Sequence, residues 1–153
     1  MEPERNFILA SMELILWRHA DAEDGIPDMA RKLTKKGRKQ AERVAEWLEK
    51  RLPKDYALIS SPAVRARETA EALGRPKLVE ALAPGATTRE ILQTAGWPGG
   101  DATVVLVGHQ PDFGRAIAYL VSRRETDWTL KKGGLWWLAP DEVIAVISPD
   151  LLS

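Results

Sequence analysis

Three short apolar runs, MELILW (12–17), YALIS (56–60) and ATVVLVG (102–108), are each followed by residues at helical spacing, and this alternation constrains the fold most. The runs are apolar on successive positions, which is the pattern of strands covered on both faces. After the first, residues 33–52 place Ala41, Val44, Ala45, Leu48 and Leu52 on one face, and Pro53 blocks continuation. After the second, Ser61 and Pro62 read as an N-cap and first-turn pair for a helix over 63–73, closed by Gly74. Residues 88–95 read as a short helix stopped by Gly96. After the third, Pro111 opens a helix with an expected inner face of Phe113, Ala116, Ile117, Leu120 and Val121. A turn at Gly133-Gly134 then leads into two apolar strands, LWWLA (135–139) and VIAVIS (143–148). Strands alternating with helices predict an α/β chain, a three-layer α/β/α sandwich around a mostly parallel central sheet.

The 153 residues suit one domain, read as 12–153, with 1–11 as an N-terminal extension. Lys and Arg number 22 against 22 Asp and Glu, a formal charge of zero. That balance argues for no nucleic acid partner and no anionic membrane partner. The absence of cysteine excludes a disulfide framework, a thiolate zinc site and a cysteine nucleophile. The apolar stretch from Phe7 to Trp17 is broken by Ser11 and Glu13 and preceded by Glu2 and Glu4, unlike a signal peptide or a membrane span. The expected location is cytoplasmic. Met12 is a second candidate start, because the strand-like run begins there.

The chemistry-bearing residues stand just after the three runs. The chain has two histidines: His19 follows MELILW in the pair Arg18-His19, and His109 follows TVVLVG. Arg65 falls in the first helical turn after YALISSP. Ligands of open α/β sheets bind beyond the carboxyl ends of the strands. Parallel strands would deliver Arg18, His19, Arg65 and His109 to one such edge, where a helix N-terminus adds free N–H groups. This is a cationic nest on a neutral chain, and phosphate is its natural occupant. A two-histidine metal site is the rival reading, with Asp21 or Asp112 as carboxylate partner, although adjacent arginines repel a cation. Arg38, Arg43 and Arg67 read as solvated helix faces. In the adjacent pair Trp136-Trp137, one ring should face the core and the other is a candidate partner surface.

LILWRHADAE, LTKKGRKQA, SSPAVRARETA and VVLVGHQPDF, in this order, resemble the histidine phosphatase superfamily. The segment ALAPGAT and the late KKGGLWWL make the SixA-type phosphohistidine phosphatase branch the best match, over most of the chain from Met12 onward. The resemblance implies a phosphoglycerate mutase-like fold and a phosphatase acting through a covalent phosphohistidine on His19. It assigns phosphate binding to Arg18, Arg65 and His109, and it implies no metal or organic cofactor. The expected partner is a histidine-phosphorylated protein. The alternatives are a phosphomonoesterase on small metabolites and a non-catalytic phosphate-binding module. One departure stands out. Mutase-like relatives carry a glutamate general acid between the second arginine motif and the second histidine, and only Glu80 is available there. Asp21 and Glu23 are other candidates, and the acid is left unassigned. Only 44 positions separate Arg65 from His109, which leaves little room for an inserted lid. A shallow site of this kind suits a phosphorylated side chain on another protein.

Overall fold

The computed structural model describes residues 12–152; the expected extension, residues 1–11, lies outside the described residues. Six strands form one sheet in the order β3-β2-β4-β1-β5-β6. They are β1 (Glu13–Arg18), β2 (Ala57–Ser60), β3 (Lys77–Leu78), β4 (Thr103–Gly108), β5 (Leu135–Ala139) and β6 (Glu142–Ile147). The first four run parallel, while β5 pairs antiparallel with β1 and β6 antiparallel with β5. The expected mostly parallel sheet is therefore present, with an antiparallel hairpin on one edge.

Four helices cover the two faces. α1 (Lys35–Glu49) and α2 (Val64–Glu71) lie on one side, α3 (Thr88–Ala95) and α4 (Asp112–Ser122) on the other. Residues Leu14 to Trp17 are all buried, and they alternate between the two cores. Ile15 and Trp17 pack with Val44, Leu48 and Ala66, whereas Leu14 and Leu16 pack with Ile91, Phe113 and Ile117. Each such side chain contributes about 1.5–3 kcal/mol of burial, so a strand wetted on either face would be costly. This is why the runs in the sequence show no alternation. No helix among the described residues is long and apolar enough to cross a membrane.

Several local expectations are corrected. α1 begins at Lys35 and not at Leu33, because Thr34 caps it by accepting from the Gly37 N–H. The N-cap of α2 is Ala63, whose side chain caps nothing, and the Ser61 hydroxyl accepts the Ala63 N–H while also bonding His109. Val121, expected on the inner face, is 43% exposed in the last turn of α4. Neither tryptophan of β5 is bare. Trp137 packs edge-on against Trp47 on one face, and Trp136 lies half-buried against Trp128 on the other.

Candidate active site

Chain connections from β1 and β4 leave in opposite directions, β1 toward β2 and β4 toward β5. Neighbouring strands that diverge in this way open a crevice at their carboxyl ends. His19 and His109 occupy it, with ring centroids 5.3 Å apart, and the His19 N–H donates to the carbonyl of Gly108 at 3.0 Å.

His19 is fixed by its own backbone neighbourhood. Its Nδ1 lies 2.8 Å from the carbonyl oxygen of Ala20. A carbonyl only accepts, so Nδ1 carries the proton and the lone pair resides on Nε2. Burial pushes the His19 pKa down to about 4, against the raising effect of that hydrogen bond, and the charges of Arg65, Arg18 and Arg31 lower it further. The ring is thus neutral at pH 7 and half-buried, with its lone pair on Nε2. His109 is buried more deeply, and its Nε2 stands 2.8 Å from the Ser61 hydroxyl. Burial, then the charges of His19 and Arg65, push its pKa to about 3.

The arginines are held by their outer atoms. Arg18 Nη1 donates to the Leu130 carbonyl at 2.6 Å. Arg65 donates through Nη1 to the Asp28 carbonyl at 2.8 Å and through Nη2 to the Asp28 carboxylate at 3.0 Å. Among the described residues, the buried side-chain polar atoms without a hydrogen-bond partner are Arg18 Nε, Arg65 Nε and His109 Nδ1. Unsatisfied buried donors are costly and uncommon. These three belong to the residues for which the sequence suggested phosphate. The two guanidinium N–H groups lack acceptors of the kind an oxyanion offers, and the role of His109 Nδ1 follows the tautomer set at Ser61.

The sequence motifs acquire physical roles around this centre. In LTKKGRKQA, a Cβ on Gly37 would stand 2.0 Å from the Asp21 carbonyl oxygen, so only glycine lets α1 approach the loop after His19. In KKGGLWWL, Gly133 sits at φ 73°, a left-handed conformation suited to glycine. Its N–H donates to the His19 carbonyl and its carbonyl accepts from Trp17 Nε1. In ALAPGAT, the N–H groups of Gly85 and Ala86 both donate to Asp112 at the start of α4. Thr69 accepts from the Ala20 N–H and donates to the Arg65 carbonyl, tying the segments that carry His19 and Arg65 together.

The carboxylates weighed from sequence are committed elsewhere. Asp21 pairs with Lys132 at 2.9 Å and accepts from Thr34; the Lys132 contact, then Thr34, hold it below the usual carboxylate range. Glu23 is exposed, and its carbonyl accepts from Arg31. Glu80 is exposed in the turn Glu80–Leu82 beyond the edge strand β3. Asp112, a rival metal partner, spends one carboxylate oxygen on Gly85 and Ala86. Neither Asp21 nor Asp112 joins the histidine pair as a ligand set.

Sequence reasoning missed Asp28, Arg31 and Ser61. Ser61 stands directly after β2, topologically equivalent to His19 and His109, and that position was the available signal. Asp28 and Arg31 are three residues apart and ion-paired at 3.0 Å, in a loop without periodicity.

Comparison with known proteins agrees with this geometry. The family model of the histidine phosphatase superfamily (branch 1) matches residues 14–91, about half the chain. An uncharacterized protein of Picosynechococcus sp. is 36% identical over 136 residues, covering 81% of this chain and 82% of the relative. The fold superposes on a crystal structure described as the putative phosphohistidine phosphatase SixA from Agrobacterium tumefaciens. Its TM-score is 0.75 at 23% identity, over 90% of this chain and 97% of that one. A phosphoserine phosphatase from Entamoeba histolytica, in complex with 3-phosphoglyceric acid, matches with a TM-score of 0.68 at 18% identity, over 90% and 97%. The described residues thus share the phosphoglycerate mutase-like α/β architecture, and the chain belongs to the histidine phosphatase superfamily, branch 1.

Proposed function

We propose that this phosphatase removes the phosphoryl group from phosphohistidine on a protein, with His19 as nucleophile. The observation that supports this most is the pair of unpartnered buried guanidinium donors, Arg18 Nε and Arg65 Nε, with the equally unpartnered His109 Nδ1, beside an imidazole whose Nε2 is free of a proton. The His19 Nε2 lone pair attacks phosphorus in line, and the bond from phosphorus to the substrate imidazole breaks. That imidazole leaves neutral, because its other nitrogen carries a proton from solvent. Water then attacks phosphorus, the bond to Nε2 breaks, and phosphate departs while the water's proton passes to solvent. Arg18, Arg65 and His109 hold the equatorial oxygens, so catalysis comes from positioning and charge stabilisation.

The leaving group decides between phosphohistidine and an ester. An alkyl phosphate expels an alkoxide, which needs a nearby acid. Asp21 is tied to Lys132 and Thr34, and Asp28 to Arg65 and Arg31. Burial raises the Asp28 pKa, but the hydrogen bonds from Arg65 and then Arg31 outweigh it, so the carboxyl stays ionised and is a poor proton donor. The competing reading, a small-molecule phosphomonoesterase, draws on the fold shared with the Entamoeba phosphoserine phosphatase.

The test is a rapid quench at neutral or alkaline pH with a phosphohistidine protein as donor. A phosphoramidate that is acid-labile, alkali-stable and mapped to His19 is the expected product. Label on His109 reverses the two roles, and phosphate release without any phosphoenzyme defeats the mechanism. A chain that binds phosphate but shows no single-turnover release is a binding module. Turnover should persist in EDTA and be inhibited by vanadate. A phosphoserine peptide turned over faster than a phosphohistidine protein would move the substrate to the ester class.

A further inference from the structure

The chain is neutral as a whole, yet four of its 22 Lys and Arg residues line one bank next to the loop that follows His19. Lys35, Lys36, Lys39 and Arg43 line an open groove of about 500 Å³ on the outer side of α1, closed at its far wall by Pro149 and Asp150. All four cations are exposed, and none has an ion-pair partner among the described residues. The groove runs into the catalytic loop. Gln40, in its floor, accepts the Asp21 N–H at 2.9 Å, two residues after His19.

Helix stability does not account for this arrangement. Positive side chains in a first turn oppose the helix macrodipole by a few tenths of a kcal/mol. α3 and α4 follow the favourable rule, with Glu90 and Asp112 in their first turns, while α1 has no acid there and carries Lys35 and Lys36. A surface that costs α1 a little stability calls for an outside ligand. Asp150 in the wall pairs with Lys131 and Asp21 at the inner end with Lys132, so the bank keeps its sign. It is short, however, and sits on a chain of zero formal charge, which gives an extended polyanion such as RNA or an anionic bilayer little to hold. An acidic protein face of limited extent matches it.

We propose that this lysine bank docks an acidic face of the phosphoprotein substrate, with carboxylates flanking the phosphorylated residue on the side that meets α1. The proposal rests on the phosphoprotein reading above and names the chemistry of the partner. Charges this close to the crevice act within a Debye length of about 8–10 Å, so they raise the encounter rate more than the rate of chemistry.

The experiment compares two synthetic phosphohistidine peptides, identical except that four aspartates or four lysines flank the phosphorylated residue, with p-nitrophenyl phosphate as the small control. Wild type should favour the acidic peptide by about 10-fold in kcat/KM at low salt, and lose that preference near 0.5 M salt. The variant Lys35→Gln/Lys36→Gln/Lys39→Gln should lose the preference and keep its kcat/KM on p-nitrophenyl phosphate. Turnover of both peptides without preference by wild type, or preference retained by the triple variant, overturns the docking surface alone. An equal loss on the small ester also overturns it, because the lysines would then belong to the catalytic centre. Failure on both peptides with the ester still hydrolysed defeats the phosphoprotein reading itself.

Discussion

At the carboxyl ends of β1 and β4, two arginines and two histidines crowd a narrow crevice. At the opposite end of the same sheet, Trp97, Leu120, Leu138 and Val143 border an open groove of about 640 Å³. At the groove the ionisable groups, Arg123, Asp141 and Glu142, are all exposed. The crevice holds two buried guanidinium donors without partners, an unpartnered His109 Nδ1 and two imidazoles kept neutral. In this molecule, concavity and chemistry separate. The site is marked by polar groups that the fold has paid to desolvate and left unsatisfied.

The sharpest way to break that contrast is to remove one aromatic side chain at each end. His19→Ala should lower kcat by about 10⁴-fold or more, the scale of losing a covalent nucleophile. Trp97→Ala, at the other end, should leave kcat/KM within about 2-fold. Arg65→Met comes next, because its Nε is one of the unpartnered donors. Losing one preorganised donor to a developing charge typically costs about 10²–10³-fold in kcat. Vanadate affinity should fall with it.

The histidine environments give a pH signature that the groove end cannot. With pKa values near 4 and 3, neither imidazole should titrate near 6.5 when followed by NMR. The unfolded chain binds protons at both histidines as pH drops below ~6.5, whereas the folded chain does not until about 4. Stability should therefore fall on acidification from 6.5 toward 4, measured as a decrease in Tm. Either histidine titrating at 6–7 would mean that the crevice is far wetter than its burial implies. In Arg65→Met, the His19 pKa should move up, since Arg65 is among the charges lowering it.

A smaller effect is expected at Asp28. Its carboxylate holds Arg65 and Arg31 by their side chains, and its carbonyl holds Arg65 again. Asp28→Asn keeps the shape and removes the charge, so Arg65 keeps an acceptor but loses its tether. A loss of about 10-fold, mainly in KM and vanadate affinity, is expected from imprecise positioning. In a double-mutant cycle, the effect should vanish on the Arg65→Met background.

The readability of the chain follows the same division. Strands β1, β2 and β4 were legible because burial on both faces leaves unbroken apolar runs, and their carboxyl ends then pointed to Arg18, His19 and His109. Arg65 was legible from its place in the turn after β2. Asp28 was not, since its partner lies 37 residues away and its loop carries no period. Ser61 was misread because Ser-Pro after a strand is ordinarily a helix cap, whereas here its hydroxyl also engages a buried imidazole. The cover of the second ring in Trp136-Trp137 is not legible either, because Trp128, which covers Trp136, comes from an irregular segment that pattern reading cannot place. Local periodicity reveals what the cores dictate, and long-range polar contacts lie outside it.

The smallest expected effect tests the groove end directly. Val143 opens onto that groove and is 43% exposed, near the start of β6 in the β5-β6 hairpin. Substitution by Thr preserves the β-branched shape favoured in a strand and exchanges one methyl for a hydroxyl that water can reach. An exposed exchange of this kind shifts stability by about 0.5 kcal/mol or less. Val143 pairs with Leu138 at the end of the sheet away from Arg65 and His109, so kcat/KM on p-nitrophenyl phosphate should stay within about 1.5-fold of wild type, and Tm within about 2 °C. The comparison fails if Val143→Thr lowers kcat/KM severalfold while Tm holds. That outcome would mean that the hairpin edge is coupled to the crevice through β5, and that the groove takes part in the reaction after all.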